Sequence, residues 1–200
     1  MHSLILRHAS RLQSLELFTH RDCFFELADI RPFPLLRDLM LGSFGGMLQS
    51  SGAPIPVFSG APLLRHLSLE DMAPSALLMP WSQLTKFTGV LVSLQECLGV
   101  LRLTPSLCEF IRCNSPEDEE ILIQDPPMHH SNINSLTIQA SDEVDHDILE
   151  FLTLPRLQNF RLGDRFGRWT EELDDIILRF LSRTSATLRT FAIGLSPWMA

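Results

Sequence analysis

The stretch APLLRHLSLE, residues 61–70, carries an L-x-x-L-x-L spacing at Leu64, Leu67 and Leu69. From Leu67 onward, apolar and polar side chains alternate along the stretch. Alternation of this kind is typical of a β-strand, because successive side chains of a strand point to opposite faces. The stretch therefore predicts a short strand with leucines on a buried face and polar side chains on the other face.

The same spacing recurs along the chain, for example in FPLLRDLMLG (33–42) and in LPRLQNFRLG (154–163). There are eight copies, and their second leucine positions are 20 to 31 residues apart. This spacing is near the period of leucine-rich repeats, which is about 20–29 residues. The residues at the second leucine position are Leu15, Leu39, Leu67, Phe87, Phe110, Leu136, Phe160 and Phe191.

One such strand cannot bury its leucines alone, whereas stacked copies share a continuous apolar interior. Parallel neighbours also need a crossover connection between consecutive strands. The repeats therefore predict an α/β fold, a leucine-rich repeat-like solenoid with a curved parallel sheet on its concave side and helices or irregular loops on its convex side. Because 200 residues suit a single domain, we expect one domain over residues 1–200 with about eight degenerate repeats.

Three of the connections have helical patterns. The segment 93–102 begins with a capping box formed by Ser93 and Glu96. The segment 170–183 has acids in its first turn, arginines near its end and apolar residues at helical spacing, and it is the strongest helical pattern in the chain. The segment 142–152 repeats this logic. We therefore expect three helical crossovers.

Other connections lack such a pattern. The segments 43–61 and 114–132 are rich in turn-forming residues and predict irregular loops. The copy at Phe110 is also imperfect, because its next inward position is occupied by Arg112. A strand that slips by one residue would turn every side chain to the other face. The register around Phe110 therefore stays open at this point.

Prolines stand two residues before the first leucine of several copies, namely Pro34, Pro62, Pro105 and Pro155. Proline fixes φ and has no N–H to donate to a sheet. It is accordingly found at strand entries rather than in central strands. These prolines predict the corner at which each crossover ends and a strand begins.

Composition narrows the classes of partner. The chain has 16 Lys plus Arg against 24 Asp plus Glu, a formal net charge of −8, without a dense basic stripe. This balance argues against a nucleic-acid partner. The four cysteines lie among apolar residues without a zinc or disulfide spacing, which indicates buried thiols in a reducing compartment. Since apolar runs long enough for a signal peptide or a membrane span are also missing, we expect an intracellular protein, cytoplasmic or nuclear, without a membrane partner.

Motifs for catalysis or cofactor binding are weak. The glycine-rich segment 42–46 follows a strand but lacks the Lys-Ser/Thr of a phosphate-binding loop. His129 with His130, and His146 among aspartates, lack the spacing of a zinc site. A G-x-S-x-G nucleophile elbow is absent from the sequence. The sequence therefore predicts a non-enzymatic protein without a cofactor or a metal ion.

The outward side chains of the strands form the candidate binding surface. In repeat proteins, the concave side usually binds extended partners. We therefore expect a protein partner or substrate on this side, although a solvated face without a specific partner is the alternative for any single position. The candidate partner-binding residues are Glu16, Asp38, Met40, His66, Ser68, Glu70, Lys86, Thr88, Thr137, Gln139, Asn159 and Arg161.

The order of three segments carries a resemblance to a known family. These segments are FSGAPLLRHLSL (58–69), PWSQLTKF (80–87) and ECLGVLRLTPSLCEF (96–110). With them, residues 5–195 resemble the degenerate leucine-rich repeat region of F-box proteins from mushroom-forming fungi. The resemblance implies that the repeats recruit the substrate of a cullin-type ubiquitin ligase.

In that family an N-terminal F-box docks on a Skp-type adaptor. Here the first repeat begins at about Leu12, which leaves no room for an F-box in this sequence. A Skp-type adaptor is therefore an expected partner only if an F-box exists upstream. The resemblance implies a non-enzymatic protein–protein interaction module for substrate recognition. The alternative is a truncated or degenerate structural repeat protein with no ligase role.

Overall fold

The structure is a computed structural model, and its main element is a parallel β-sheet. Residues 5, 7–20, 23–24, 33–44, 54–113, 127–140, 143–164, 170–184 and 187–195 are described, and all structural statements concern these residues. The strands in chain order are β1 Ser14–Thr19, β2 Asp38–Ser43, β3 His66–Glu70, β4 Lys86–Val90, β5 Glu109–Cys113, β6 Met128–His129, β7 Ser135–Ala140, β8 Leu152–Thr153, β9 Asn159–Asp164 and β10 Thr190–Leu195. Eight of them form one sheet in the order β1-β2-β3-β4-β5-β7-β9-β10, and β6 pairs with β8 in a second, two-stranded sheet.

All neighbouring strands of the large sheet are parallel. The eight residues at the second leucine position of the repeats are Cα partners in one continuous row from Leu15 to Phe191. The six central members of this row, from Leu39 to Phe160, are at most 2% exposed. The prediction of a parallel sheet is therefore confirmed, and the predicted burial of the second positions holds for these six. At the two edges of the sheet, Leu15 is half-buried and Phe191 is 48% exposed.

The register is continuous through β5. Phe110 is fully buried, and Arg112 occupies the next inward position with 1% of its surface exposed. Arg112 pairs in register with Gly89 on one side and with Ile138 on the other, so the strand does not slip. Arg112 therefore occupies a buried position where other copies have an apolar side chain, and its strand keeps the same face towards the core.

The strand entries are built from a recurring turn. Four-residue turns, each closed by a hydrogen bond from the last N–H to the first C=O, span residues 33–36, 61–64, 104–107 and 154–157. A proline occupies the second position of each turn, which its fixed φ favours. The leucine at the end of each of these turns is fully buried. The predicted role of these prolines at the strand entries is confirmed.

Backbone hydrogen bonds repeat at the same place in each copy. The carbonyl of Arg65 accepts hydrogen bonds from the N–H groups of Thr85 (2.8 Å) and Lys86 (3.1 Å), just before β4 begins. The carbonyl of Thr85 accepts in the same way from Cys108 and Glu109, just before β5. Equivalent pairs are made by the carbonyls of Gln13, Arg37, Cys108, Asn134 and Gln158. Each strand entry is therefore aligned by the copy that precedes it.

The first predicted helix is confirmed as α1, Leu94–Leu103. The side chain of Ser93 accepts a hydrogen bond from the N–H of Glu96 (3.3 Å), which is one half of the predicted capping box. The carboxylate of Glu96 accepts hydrogen bonds from the N–H (3.0 Å) and the hydroxyl of Ser75 instead. Its buried side chains, among them Leu98 and Leu101, belong to the same apolar cluster as the inward strand residues. This helix therefore covers the buried face of the sheet.

The second predicted helix is confirmed as α2, Glu171–Thr184. The hydroxyl of Thr170 accepts a hydrogen bond from the N–H of Leu173 (3.3 Å), and the acids of the first turn suit a helix N-terminus. Phe180 is fully buried, and its ring lies 5.4 Å from that of Phe160 in β9, measured between centroids. The strong apolar stripe of this segment thus packs directly on the sheet.

The third predicted helix differs from the prediction in type. Residues Glu143–Phe151 form a 3-10 helix that leads directly into β8. Ile148, Leu149 and Leu152 are fully buried, as the apolar pattern predicted. Of the segments predicted to be irregular, residues 45–53 and 114–126 lie outside the described residues. Residues 54–61 contain a single β-bridge, from Ile55 to Leu77, and no longer strand or helix.

Candidate functional site

The side chains that point away from the buried cluster form three rows across the large sheet, which we call the outer face. The first row is Ser14, Asp38, His66, Lys86, Glu109, Ser135, Asn159 and Thr190. The second row is Glu16, Met40, Ser68, Thr88, Ile111, Thr137, Arg161 and Ala192. The third row is Phe18, Gly42, Glu70, Val90, Cys113, Gln139, Gly163 and Gly194.

All twelve candidate residues from the sequence lie on this face. The first row contains Asp38, His66, Lys86 and Asn159; the second contains Glu16, Met40, Ser68, Thr88, Thr137 and Arg161; the third contains Glu70 and Gln139. Apart from Gly42, every outer-face residue is exposed or half-buried. The sheet therefore presents these candidates together on one accessible surface.

Sequence reasoning missed the contribution of β5 to this face. Glu109, Ile111 and Cys113 occupy the outward positions between the predicted residues of β4 and β7. The sequence does not assign them to this face, because Arg112 at an inward position leaves the register of the strand open. The signal that could have placed them was Phe110, which continues the row of buried second positions through the strand.

A depression of about 130 Å³ lies over strands β1 to β4 of the outer face. Its volume is well below the roughly 300–1,000 Å³ of pockets that hold small molecules and cofactors. It exceeds the roughly 10–15 Å³ that one water needs, and so suits a protruding side chain. Its polar and sulfur-containing lining is provided by Ser14, Glu16, Asp38, Met40, His66, Ser68, Lys86 and Thr88.

Two pairs of polar side chains join neighbouring strands in the first row. The Nδ1 atom of His66 lies 2.5 Å from Oδ1 of Asp38, and both side chains are about half exposed, at 50% and 49%. The Nζ atom of Lys86 lies 3.2 Å from Oε1 of Glu109. Exposed pairs of this kind contribute only about 0.2–1 kcal/mol each to stability. They orient Asp38, His66 and Lys86, which line the depression, and Glu109 beside Lys86.

Aromatic side chains lie at the ends of β1 and β2. The ring centroids of Phe18 and Phe44 are 6.1 Å apart, and His20 lies 6.3 Å from Phe44 on the other side. The Phe18 ring lies over Gly42, where a Cβ atom would be within 2.5 Å of its Cε1. Gly42 therefore permits the ring to lean from β1 across β2. Phe18 and Phe44 are 38% and 55% exposed.

The histidine pair of the sequence, His129 and His130, is split between two environments. His129 is exposed, whereas His130 is buried and its Nε2 lies 2.9 Å from the carbonyl oxygen of Thr104. Burial lowers the pKa of His130 below its ordinary value of 6.5, although the hydrogen bond to Thr104 opposes this shift. The Nδ1 atom of His130 is buried without a hydrogen-bond partner. We therefore expect a neutral imidazole with a structural role at the end of α1.

Within the described part of the chain, no group of three or more His, Cys, Asp or Glu side chains is arranged to hold a metal ion. The side chain of His146 lies outside the described residues. All four cysteines are free thiols; Cys97 is buried as predicted, whereas Cys23, Cys108 and Cys113 are only half-buried. None of the described helices has the length and apolar character needed to cross a membrane.

Comparisons of the chain with protein-family models, with curated proteins and with solved structures gave no match.

Proposed function

We propose that this chain is a leucine-rich repeat-like solenoid that acts as a non-enzymatic protein-interaction module, and that its outer face binds an extended segment of another protein. The observation that carries the proposal is the uninterrupted, accessible outer face, on which three rows of side chains cross eight strands in register. Neighbouring strands are about 4.8 Å apart, so each row is about 34 Å long. An extended segment of about ten residues would span it at about 3.3 Å per residue.

The site chemistry favours binding of a protein over catalysis. The depression on the outer face is too small for a typical cofactor or substrate. The titratable side chains on its lining, Glu16, Asp38, His66 and Lys86, are exposed or half-buried and do not lie in a water-excluded cavity. A shallow surface with mixed charged, apolar and hydroxyl side chains suits the recognition of side chains along a polypeptide.

The resemblance to fungal F-box proteins supports a more specific role. In that role the outer face would recognise the substrate of a ubiquitin ligase, and a Skp-type adaptor would be recruited by an F-box in the same polypeptide. One observation favours the alternative of a degenerate structural repeat protein. Phe191 and Ile193 occupy inward positions of β10 and are nevertheless 48% and 43% exposed.

Site-specific photocrosslinking tests the proposal. A photoreactive phenylalanine analogue at Thr88 or Thr137 probes the outer face, and the same analogue at Leu178, which is 64% exposed on α2, probes another surface. In an extract of the source organism, we expect a partner band from the two outer-face positions that is absent from the α2 position.

Charge reversal on the outer face provides a second test in the same crosslinking assay. Glu70→Lys combined with Arg161→Glu should abolish that band. The matched control is Glu172→Lys combined with Arg189→Glu, which changes the same charges at exposed positions outside the three rows. A band that survives the outer-face variant, or that forms equally well from Leu178, would show that the outer face is not the binding surface.

A further inference from the structure

Charge is unevenly distributed over the outer face. The outward positions of β1, β2 and β3 include three acids, Glu16, Asp38 and Glu70, and neither lysine nor arginine. From β4 to β10 the outward positions carry Lys86 and Arg161 against Glu109. The β1–β3 end of the face is therefore acidic, whereas the remainder is close to neutral.

Two of the three acids have no partner among the residues that the structure describes. Asp38 is paired with His66 at 2.5 Å, but Glu16 and Glu70 make no hydrogen bond or ion pair with the described part of the chain. Neither carboxylate is buried. Both are thus available to a positively charged group of another molecule.

The two unpaired carboxylates flank an aromatic surface. Phe18 stands two residues after Glu16 on β1, on the same face. In the third row its ring leans over Gly42 towards Glu70, whose Cα is two strand spacings, about 10 Å, from that of Phe18. Phe44 extends the apolar surface beyond the ends of the strands. We call Glu16, Phe18, Phe44 and Glu70 the acidic–aromatic patch.

We infer that the acidic–aromatic patch determines the specificity of the outer face, and that it binds a segment of a partner protein in which a lysine or arginine stands next to an apolar residue. This inference rests on the proposed function. The cationic group pairs with Glu16 or Glu70, while the aliphatic stem of the same side chain packs on the phenylalanine rings. The neighbouring apolar side chain enters the depression beside Met40.

The charge of the whole chain supports this choice of partner. The formal net charge of −8 attracts basic segments over distances of about a Debye length, roughly 8–10 Å. Complementary charge increases the association rate and disfavours partners of like charge. An acidic segment would have to approach two unpaired carboxylates at the β1–β3 end, and it would find only Lys86 and Arg161 on the rest of the face.

A phage-displayed library of random dodecapeptides tests the inference on the full chain. We expect selection on the native protein to enrich peptides with Lys or Arg next to Leu, Ile, Met or an aromatic residue. One enriched peptide is then synthesised with a fluorescent label and titrated by fluorescence anisotropy. Glu16→Gln with Glu70→Gln should weaken its binding about tenfold at low salt, and Phe18→Ala should weaken it about five- to tenfold.

Two double variants with the same change of net charge separate the effect of charges on the patch from the effect of the total charge of the chain. Glu16→Lys with Glu70→Lys should abolish binding of the peptide and shift a repeated selection towards acidic sequences. Glu172→Lys with Asp175→Lys makes the same change of net charge at exposed positions of α2 and should leave the affinity within about twofold. Urea denaturation of each variant verifies that it is folded.

The possible outcomes separate this inference from the proposed function. Enriched peptides that are acidic, and that lose affinity with Lys86→Glu or Arg161→Glu, would refute the acidic–aromatic patch while leaving the outer face as the binding surface. Peptides whose affinity is unchanged by every outer-face substitution would refute both. A selection that enriches no peptide would refute the claim that this patch binds a short basic segment, and the crosslinking experiment would still test the outer face.

Discussion

The alternation of buried and exposed side chains in β3 can be tested with one substitution at two adjacent positions. Leu67 is 1% exposed and lies in register between Leu39 and Phe87 in the buried row. Ser68 follows it on the outer face and is half-buried. Leu67→Asn and Ser68→Asn introduce the same uncharged side chain, so their difference reports the face to which each position points.

The expected difference is large. Leu67→Asn loses about 1.5–3 kcal/mol of apolar burial and leaves a buried amide short of hydrogen bonds at a further cost of about 1–3 kcal/mol. The free energy of unfolding should therefore fall by about 2.5–6 kcal/mol, out of the total of about 5–15 kcal/mol typical of a domain. Ser68→Asn should change it by less than about 0.5 kcal/mol.

Urea denaturation followed by circular dichroism measures both values. With an m-value near 3 kcal/mol/M, at the upper end of the usual range, the midpoint of Leu67→Asn should fall by about 1–2 M, or the variant should be unfolded without urea. Leu67→Met conserves the apolar volume and should cost less than about 1.5 kcal/mol. Equal midpoints for Leu67→Asn and Ser68→Asn would refute the assignment of the two faces.

Three further predictions concern single features. Because burial holds the pKa of His130 below 6.5, the unfolded chain takes up a proton at a higher pH than the folded chain does. The stability that His130 contributes should be complete above pH 6.5 and fall as the pH drops from there through the lower pKa of the folded state. The urea midpoints of His130→Asn should lack this step. Phe87 and Phe110 are stacked with ring centroids 5.9 Å apart, and a double-mutant cycle with leucine should give about 0.5–1.5 kcal/mol of coupling, whereas strict additivity would contradict the stacking. Pro62→Ala should lower stability by about 0.4–1 kcal/mol through the greater freedom of the unfolded chain, and a stabilised variant would show that the turn does not need the proline.

The sheet could be predicted from the sequence because its determinants are local. Each copy carries its own alternation and its own turn, so the buried row could be assigned one strand at a time. The limit was reached at β5, where Arg112 occupies a buried position. A single charged residue obscures the alternation of a five-residue strand, and the register with Gly89 and Ile138 shows that β5 keeps its face.

The connections were less predictable. Over nine residues, an apolar pattern hardly separates the 3.0 residues per turn of a 3-10 helix from the 3.6 of an α-helix. The segment Glu143–Phe151 was therefore assigned correctly as helical but not to the right type. The pairing of Met128–His129 with Leu152–Thr153 gave no signal, because two residues are too few to show alternation.

For the candidate site, the sequence predicted the residues but not their partners. Asp38 and His66 are 28 positions apart, and only the parallel register brings their side chains together. The same holds for Lys86 and Glu109. The lean of Phe18 over Gly42 depends on the space left by a missing side chain in the neighbouring strand, which is a property of two copies and not of one.

The order of the strands, which follows the order of the chain, has a consequence for how such a protein changes over generations. Each copy contacts mainly the copies before and after it, so duplication or deletion of a whole copy joins surfaces that already match. If the outer face binds an extended segment as proposed, every copy gained would lengthen that segment by about 4.8 Å and bring three new outward positions. The preference of the proposed binding surface could then diversify by changing the number of units, while the interior of each unit stays the same.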